Sequence, residues 1–204
     1  HSQNASYAGG LSVDNIRRQQ REIDEWNDLH GDAVRLFKGV EADILADGTL
    51  DYAATPGVLE SFDYVIGSVH SSFRMSRSEM TTRLLRALDD PRLTILGHMT
   101  GRLLLSRDAY ALDVEKIIAR AAERGVAIEI NADPARLDLD WRWWSHARAL
   151  GVLCAINPDA HSVRSLDHVQ WGIDMARKGG LAAADILNTR DTASVQQYLA
   201  ERHG

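Results

Sequence analysis

The sequence is poor in cysteine and proline, and it has no long apolar run. A single cysteine, Cys154, excludes a disulfide framework and makes a cytoplasmic setting the expectation. No stretch approaches the roughly 18 apolar residues of a membrane span, and the N-terminus lacks a signal-peptide pattern, so we expect no membrane partner. Positive charge is also scarce. The formal net charge is −6, which excludes an overall basic field that would attract nucleic acid.

What the chain does have is an alternation of two patterns. Its 204 residues, 45% of them hydrophobic, suit a single domain over residues 1–204. Short β-branched runs predict strands at 34–44, 64–70, 93–99, 126–132 and 151–161. Helical spacing predicts helices at about 12–30, 78–89, 112–124, 139–150, 164–178 and 191–202. Residues 46–57 form the one long loop-like stretch. The alternation predicts an α/β fold with a parallel sheet, either a barrel or a doubly wound sheet.

Local signals support these boundaries. Ser12 is placed to cap the first helix, and Gly31 to end it. The apolar positions Ile16, Ile23, Trp26 and Leu29 fit one face of that helix. The segments ERGVAIEI and ALGVLCAI share one form, in which a helix end is followed by glycine and then by a buried strand.

Each predicted strand carries polar side chains towards its C-terminal end. In chain order they are Glu41 and Asp43, His70, His98, Glu129 and Asn131, and Asp159 and His161. Because the carboxyl ends of parallel strands form the functional face of α/β proteins, we expect these side chains to converge. Imidazoles with carboxylates are the donor set for zinc, manganese or iron.

Some of these residues have a second interpretation. Asp43 could cap the loop that follows it, and Glu129 is ambiguous because Asn131 could be the inward residue instead. Cys154 is expected in the core. Four further histidines fall on predicted helices or at the tail and are expected to be solvated: His30, His146, His168 and His203.

Several ordered motifs resemble the PHP (polymerase and histidinol phosphatase) family, most closely the C-terminal PHP domain of bacterial family X DNA polymerases. They are GVEADIL with GTLDY, DYVIGSVHSSF, ILGHMTGRLL, IEINADPARLDL and INPDAHS, and the opening HSQNASYAGGLS matches the tail of the family's DHS motif. The resemblance implies a distorted (βα)7 barrel with up to three divalent metal ions at the C-terminal strand ends.

The resemblance also implies a ligand set. His1, His98 and His161 would hold one ion, Glu41 and Asp159 would help to hold a second, and Glu41 with His70 a third. Glu41 and Asp159 would be the catalytic carboxylates. Arg102, just beyond His98, is a candidate to bind substrate phosphate, and Arg136 and Arg74 are weaker candidates of the same kind. For Arg102 a cap or a salt bridge is an equally good interpretation.

The chain departs from the family at its N-terminus. No segment matches the family's HxH pair, and His1 alone represents the second strand. We therefore expect a fragment of the barrel without its first strands and with reduced metal occupancy.

In the polymerase-linked branch, the resemblance implies manganese-dependent 3′–5′ exonuclease activity or related processing of DNA 3′ ends in repair, with a polymerase domain as the partner in a longer chain. One alternative is a small-molecule phosphatase resembling histidinol-phosphate phosphatase. Another is a non-catalytic PHP module with a structural or interaction role.

Overall fold

A five-stranded parallel sheet organises the chain. The computed structural model describes residues 1–4 and 9–203, with side chains through residue 201. Within these residues the strands are β1 (Gly39–Asp43), β2 (Tyr64–Ser68), β3 (Ile95–Leu96), β4 (Ala127–Asn131) and β5 (Cys154–Asn157). The α-helices are α1 (Val13–His30), α2 (Arg77–Leu88), α3 (Val114–Arg124), α4 (Trp144–Ala149), α5 (Val169–Lys178) and α6 (Thr192–His203). Residues 5–8 of the opening motif and the side chain of His203 lie outside the described residues.

The strand order selects between the two predicted architectures. The order is β1-β2-β3-β4-β5, and every neighbouring pair is parallel. A doubly wound sheet reverses its strand order at a switch point, whereas a barrel adds each new strand to the same edge. The sheet is therefore an arc of a βα barrel. It does not close within the described residues, as expected for a partial barrel.

Both edges of the arc are covered by short segments of the chain. At β1, the backbone N–H of Ser2 donates to the carbonyl of Glu41 at 2.9 Å, and its hydroxyl accepts from the N–H of Asp43 at 2.9 Å. At β5, the Asn188 amide contacts both the N–H and the carbonyl of Ile156, at 2.7 and 3.0 Å. These contacts satisfy backbone groups that an open edge leaves unpaired.

The two faces of the sheet bury different side chains. The outer face packs against the helices in the main hydrophobic core. The inner face has a smaller cluster around Ile95, Ala127 and Ala155, which Tyr198 of α6 helps to cover. Period-2 alternation places Glu41 and Glu129 on this inner face, towards the C-terminal ends of their strands.

The predicted helix caps are confirmed, but the strand lengths and the apolar face of α1 need correction. The Ser12 side chain caps α1, and Gly125 ends α3 at φ 64°. The predicted strands are too long, because residues beyond the ladder turn directly into loops at the sheet edge. The apolar face predicted for α1 is also wrong in part. Ile16 is buried, but Trp26 and Leu29 are 44% and 78% exposed because no described element covers that end of the helix.

The remaining helices agree with the sequence in position. Residues 139–150 and 164–178 each begin with a 3-10 turn before the α-helix starts. His30 and His146 are exposed and His168 is half-buried, and all three lie on helical segments. No helix in the described part of the chain is both long and apolar enough to cross a membrane.

Candidate metal centre

The carboxylate of Glu41 lies among three imidazoles at the C-terminal edge of the sheet. Its Oε1 atom is 3.3 Å from His70 Nε2 and 3.1 Å from His98 Nε2, and its Oε2 atom is 3.1 Å from His1 Nδ1. Three separate segments of the chain deliver these rings, because His1 lies beside β1 while His70 and His98 follow β2 and β3. Both Glu41 oxygens are thus presented to nitrogen donors, as expected of a carboxylate that can bridge two ions.

Electrostatics keep Glu41 ionised. Burial opposes ionisation, but hydrogen bonds from His1, His70 and His98 outweigh it and hold the pKa of the Glu41 carboxyl far below its usual range. The hydrogen bond with Glu41 also raises the pKa of His1. A negative charge is therefore fixed at the point where the imidazole rings meet.

Asp43 lies two residues further along β1 and orients His70. His70 Nδ1 donates to Asp43 Oδ1, which leaves Nε2 facing Glu41. Asn4 Nδ2 donates to the other oxygen of Asp43 at 2.9 Å. Asp43 is 3% exposed. A carboxylate behind a ligating histidine fixes the tautomer and ring direction, so Asp43 does more than cap a loop.

His98 reaches the site from a very short strand. The preceding residue must be glycine because a Cβ at position 97 would lie 2.4 Å from Ser68 Oγ. The backbone N–H of His98 donates to Glu129 Oε2 at 2.6 Å. Its ring atom Nδ1 is buried with no hydrogen-bond partner among the described residues.

The buried carboxylate of Glu129 connects the remaining strands. Asn157 Nδ2 donates to Glu129 Oε1 at 2.8 Å, and Asn131 Nδ2 donates to Oε2 at 3.2 Å. Asn131 Nδ2 also contacts Asp159 Oδ2 at 3.0 Å. Burial raises the pKa of Glu129 to about 7. Both members of the ambiguous Glu129–Asn131 pair therefore belong to the polar network at the strand ends.

Asp159 and His161 form the rim of the site after β5. His161 Nδ1 lies 2.8 Å from the carbonyl oxygen of Asp159, and its Nε2 atom faces His1 Nε2 at 3.2 Å. The side chain of His161 is 65% exposed, whereas that of Asp159 is 13% exposed. Asp159 Oδ2 also pairs with Arg136 Nε at 3.2 Å.

These residues fit a divalent ion. One donor atom from each of His1, Glu41 and His70 lies within 4.8 Å of the other two. The 3.2 Å between His1 Nε2 and His161 Nε2 is close to the spacing of about 3.4 Å between ligands of a tetrahedral ion with bonds of about 2.1 Å. His98 adds a third imidazole nitrogen, since its Nε2 atom lies 3.1 Å from Glu41 Oε1.

The structure thus gathers the six residues for which a metal role was predicted: His1, Glu41, His70, His98, Asp159 and His161. His1, Glu41 and His70 are close enough to share one ion, and the division of ligands among ions stays a prediction. Sequence reasoning missed the contacts of Ser2, Asn4 and Asn157. The two-residue spacing of Glu41 and Asp43 indicated that both side chains lie on one face of the strand. It could not indicate that Asp43 contacts His70, which follows another strand.

The two predicted phosphate ligands differ in their surroundings. Arg102 donates Nε to the carbonyl of Arg136 at 2.9 Å and Nη1 to Asp140 at 2.9 Å, and its Nη2 atom donates to the carbonyl of Leu137. These contacts agree with the second interpretation of Arg102, in which its guanidinium forms a salt bridge within the protein. Arg136 instead keeps its buried Nη1 without a hydrogen-bond partner among the described residues.

The site opens into a cavity on the inner face of the sheet. Its volume is about 730 Å³, and His1, Glu41, Glu129, Asp159 and His161 lie along its polar side. Apolar residues form the other side: Leu36, Tyr64, Ile66, Ile95, Ala155, Leu187 and Leu199. A space of this size is typical of a small-molecule or nucleotide site.

Fold and site together define a βα-barrel protein with a candidate metal centre of histidines and carboxylates at its C-terminal strand ends. No family model matches the chain. It is 40% identical over 199 residues to a protein of Bacillus subtilis named DNA polymerase/3′–5′ exonuclease PolX, which covers 98% of this chain and 34% of that protein. The chain thus spans about a third of the length of this relative.

Other relatives are similar over more of their own length. A probable phosphatase of Clostridium acetobutylicum is 36% identical over 178 residues, which are 81% of this chain and 68% of the relative. A probable phosphatase of a Thermoanaerobacter species is 27% identical over 181 residues, with 84% and 70% covered. The chain belongs to the PHP family.

Proposed function

We propose that the chain is a PHP-type, metal-dependent phosphoesterase that removes nucleotides from DNA 3′ ends as a 3′–5′ exonuclease. The observation that carries the proposal is the position of Glu41, ionised between three imidazoles at the mouth of the cavity. Similarity to a protein named as a 3′–5′ exonuclease and to probable phosphatases supports the reaction class.

In this proposal His1, Glu41, His70, His98, Asp159 and His161 hold the divalent ions. When bound, such ions supply a water of lowered pKa and neutralise charge on phosphoryl oxygens. Glu41 would offer a carboxylate oxygen to each of two ions, and Asp43 keeps His70 Nε2 turned towards Glu41. Asp159 receives its orientation from Asn131 and Arg136.

Substrate contacts are proposed for the arginines. Arg136 pairs with Asp159 through Nε, and its Nη1 atom has no hydrogen-bond partner among the described residues, which suits a phosphate oxygen. Arg102 is the weaker candidate because all three of its guanidinium nitrogens donate to protein acceptors. In the proposed arrangement it holds the 136–140 loop that carries Arg136.

The test is a Glu41→Gln variant loaded with manganese. The wild-type chain is expected to shorten 5′-labelled single-stranded DNA one nucleotide at a time, and the variant to lose this activity while keeping its circular dichroism spectrum. Full activity in the variant would refute the role of Glu41. A parallel assay with histidinol phosphate distinguishes the small-molecule phosphatase that the probable phosphatase relatives favour.

The third alternative is a PHP module without catalytic activity. It predicts that neither substrate is hydrolysed even when elemental analysis shows bound metal. Metal bound with no turnover on DNA or histidinol phosphate would therefore support this alternative over both enzymes.

A further inference from the structure

A second cleft is formed by loops that leave the C-terminal edge of the sheet, where the candidate metal centre lies. Its volume is about 660 Å³, and it is lined by residues of the loops that follow β2 and β3: Ser72, Phe73, Arg74, Arg107, Asp108, Ala109 and Tyr110. The β2 loop also carries His70, and the β3 loop also carries His98. The cleft is therefore built from the same two segments that deliver metal ligands.

One wall of the cleft is a stack of an arginine on aromatic rings. The guanidinium carbon of Arg107 lies 4.2 Å above the centroid of the Phe73 ring. Phe73 in turn stacks on Tyr110, with centroids 6.2 Å apart and ring planes 16° apart. Such a stack presents flat, polarisable surface with a fixed positive charge.

This wall is fixed to the backbone directly after His98. The Tyr110 hydroxyl donates to the carbonyl of Met99 at 2.8 Å, and Arg107 Nε donates to the carbonyl of Gly101 at 3.0 Å. The wall is thus anchored one to three residues from a proposed metal ligand. A group bound against it would lie near the reacting phosphate.

Arg74 supplies a second positive charge. Its side chain is exposed, and within the described residues it makes no hydrogen bond or ion pair. Arg74 follows His70 by four residues, so the Cα atoms of the two residues lie within about 14 Å of each other. Asp108 is the one carboxylate among the described residues that line the cleft, and it is exposed.

We propose that this cleft binds single-stranded nucleic acid next to the nucleotide being removed. A base would stack against the wall of Arg107 and Phe73, and Arg74 would contact a backbone phosphate. Aromatic rings with arginines are the features by which proteins bind single strands, because an unpaired base exposes its flat face. The proposal rests on the proposed nuclease function and names how its substrate extends beyond the metal centre.

A single strand fits better than a duplex. The net charge of −6 repels a long, doubly charged backbone, while two local arginines suffice for one or two phosphates. Bases in a duplex are also stacked on their neighbours and cannot reach the wall. Binding of duplex DNA as tight as that of the single strand would count against the proposal.

Arg74→Ala tests the cleft, with Arg77→Ala as the matched control. Both arginines are exposed, and Arg77 lies outside the cleft on α2. Binding of a fluorescein-labelled single-stranded 8-mer is followed by anisotropy at several salt concentrations, without added metal so that no hydrolysis interferes. Arg74→Ala should weaken binding about three- to tenfold at low salt and reduce the slope of log Kd against log salt by about 0.7, the loss of one phosphate contact.

The control should leave both the affinity and the slope unchanged. The proposal is overturned if Arg74→Ala binds the 8-mer like the wild type, or if Arg77→Ala has an equal effect. A separate hydrolysis assay keeps the two proposals apart. If the chain hydrolyses no phosphoester but Arg74→Ala reduces the salt slope, the nuclease function is refuted and the cleft proposal stands. If the chain hydrolyses DNA and Arg74→Ala leaves the slope unchanged, the cleft proposal is refuted and the nuclease function stands.

Discussion

His70 is held between two carboxylates of one strand, with Nδ1 on Asp43 and Nε2 facing Glu41. Glu41 and Asp43 are two residues apart in β1 and therefore point to the same side of the sheet. The carboxylate of Asp43 accepts a hydrogen bond from Nδ1 and therefore determines that this ring nitrogen carries the proton. The other ring nitrogen, Nε2, stays turned towards Glu41 at 3.3 Å.

Replacing Asp43 by Asn should therefore weaken metal binding about 10- to 100-fold, the usual effect of removing a carboxylate behind a histidine ligand. Asp47→Asn is the control, because Asp47 is exposed and its side chain bonds locally to Thr49. Isothermal titration with manganese and zinc measures both variants. At a pH high enough for the ring to be neutral, the nitrogen-15 shifts of His70 should also show a mixed tautomer in Asp43→Asn. An unchanged affinity with an unchanged tautomer would mean that Asp43 serves the fold alone.

Metal binding should also release protons, in a pH window that His70 defines. Burial lowers the pKa of His70, but the hydrogen bonds to Asp43 and Glu41 outweigh it and raise the pKa to about 9. A metal ligand must be the neutral imidazole, so binding below pH 9 displaces that proton. Apparent affinity should rise with pH up to about 9. Calorimetry at pH 7.5 in buffers of different ionisation heat should detect at least one proton released per ion, and a heat independent of the buffer would contradict this.

The sequence allowed prediction of the parts of the site that depend on one strand at a time. Period-2 spacing within β1 and the position of His98 after a strand are local facts, and parallel strands bring their carboxyl ends together by topology. The contacts of Asn157 with Glu129, and of Asn4 with Asp43, depend on strand register and on loop paths, which no local pattern encodes. Helix α1 shows the same limit. Its spacing indicated an apolar stripe but not whether another element covers Trp26.

Glu129 should make stability fall as the pH rises. Its pKa is raised by burial to about 7 in the folded state, against 4.5 for the ordinary side chain. Between these values the folded chain binds more protons than the unfolded chain, so the free energy of unfolding decreases with pH over this window, by up to about 3 kcal/mol. Glu129→Gln cannot titrate and should lack this decrease.

Urea unfolding of the metal-free protein at pH 4.5, 6 and 8 provides the measurement. Other groups, His70 among them, also titrate, so the quantity that counts is the difference between wild type and Glu129→Gln at each pH. That difference should shift in favour of the variant from pH 4.5 to 8. A constant difference would show that the Glu129 carboxyl ionises normally in the folded chain.

Arg102 and Arg142 offer a matched comparison on one carboxylate. Both donate to Asp140, but Arg102 is 18% exposed and also holds the carbonyls of Arg136 and Leu137, whereas Arg142 is 72% exposed. Arg102→Ala leaves the part-buried carbonyls of Arg136 and Leu137 without these donors and should lower the free energy of unfolding by about 1–3 kcal/mol. Arg142→Ala should have little effect, because solvent screens an exposed pair.

Arg102→Lys tests whether charge or shape matters. A lysine keeps the charge but cannot reach three acceptors in the plane of a guanidinium, so it should recover only part of the lost stability. If Arg102 holds the 136–140 loop, its loss should also raise the KM for DNA more than it lowers kcat, since Arg136 would be displaced without loss of a metal ligand. Equal stability of the Arg102 and Arg142 alanine variants would show that the loop keeps its place without Arg102.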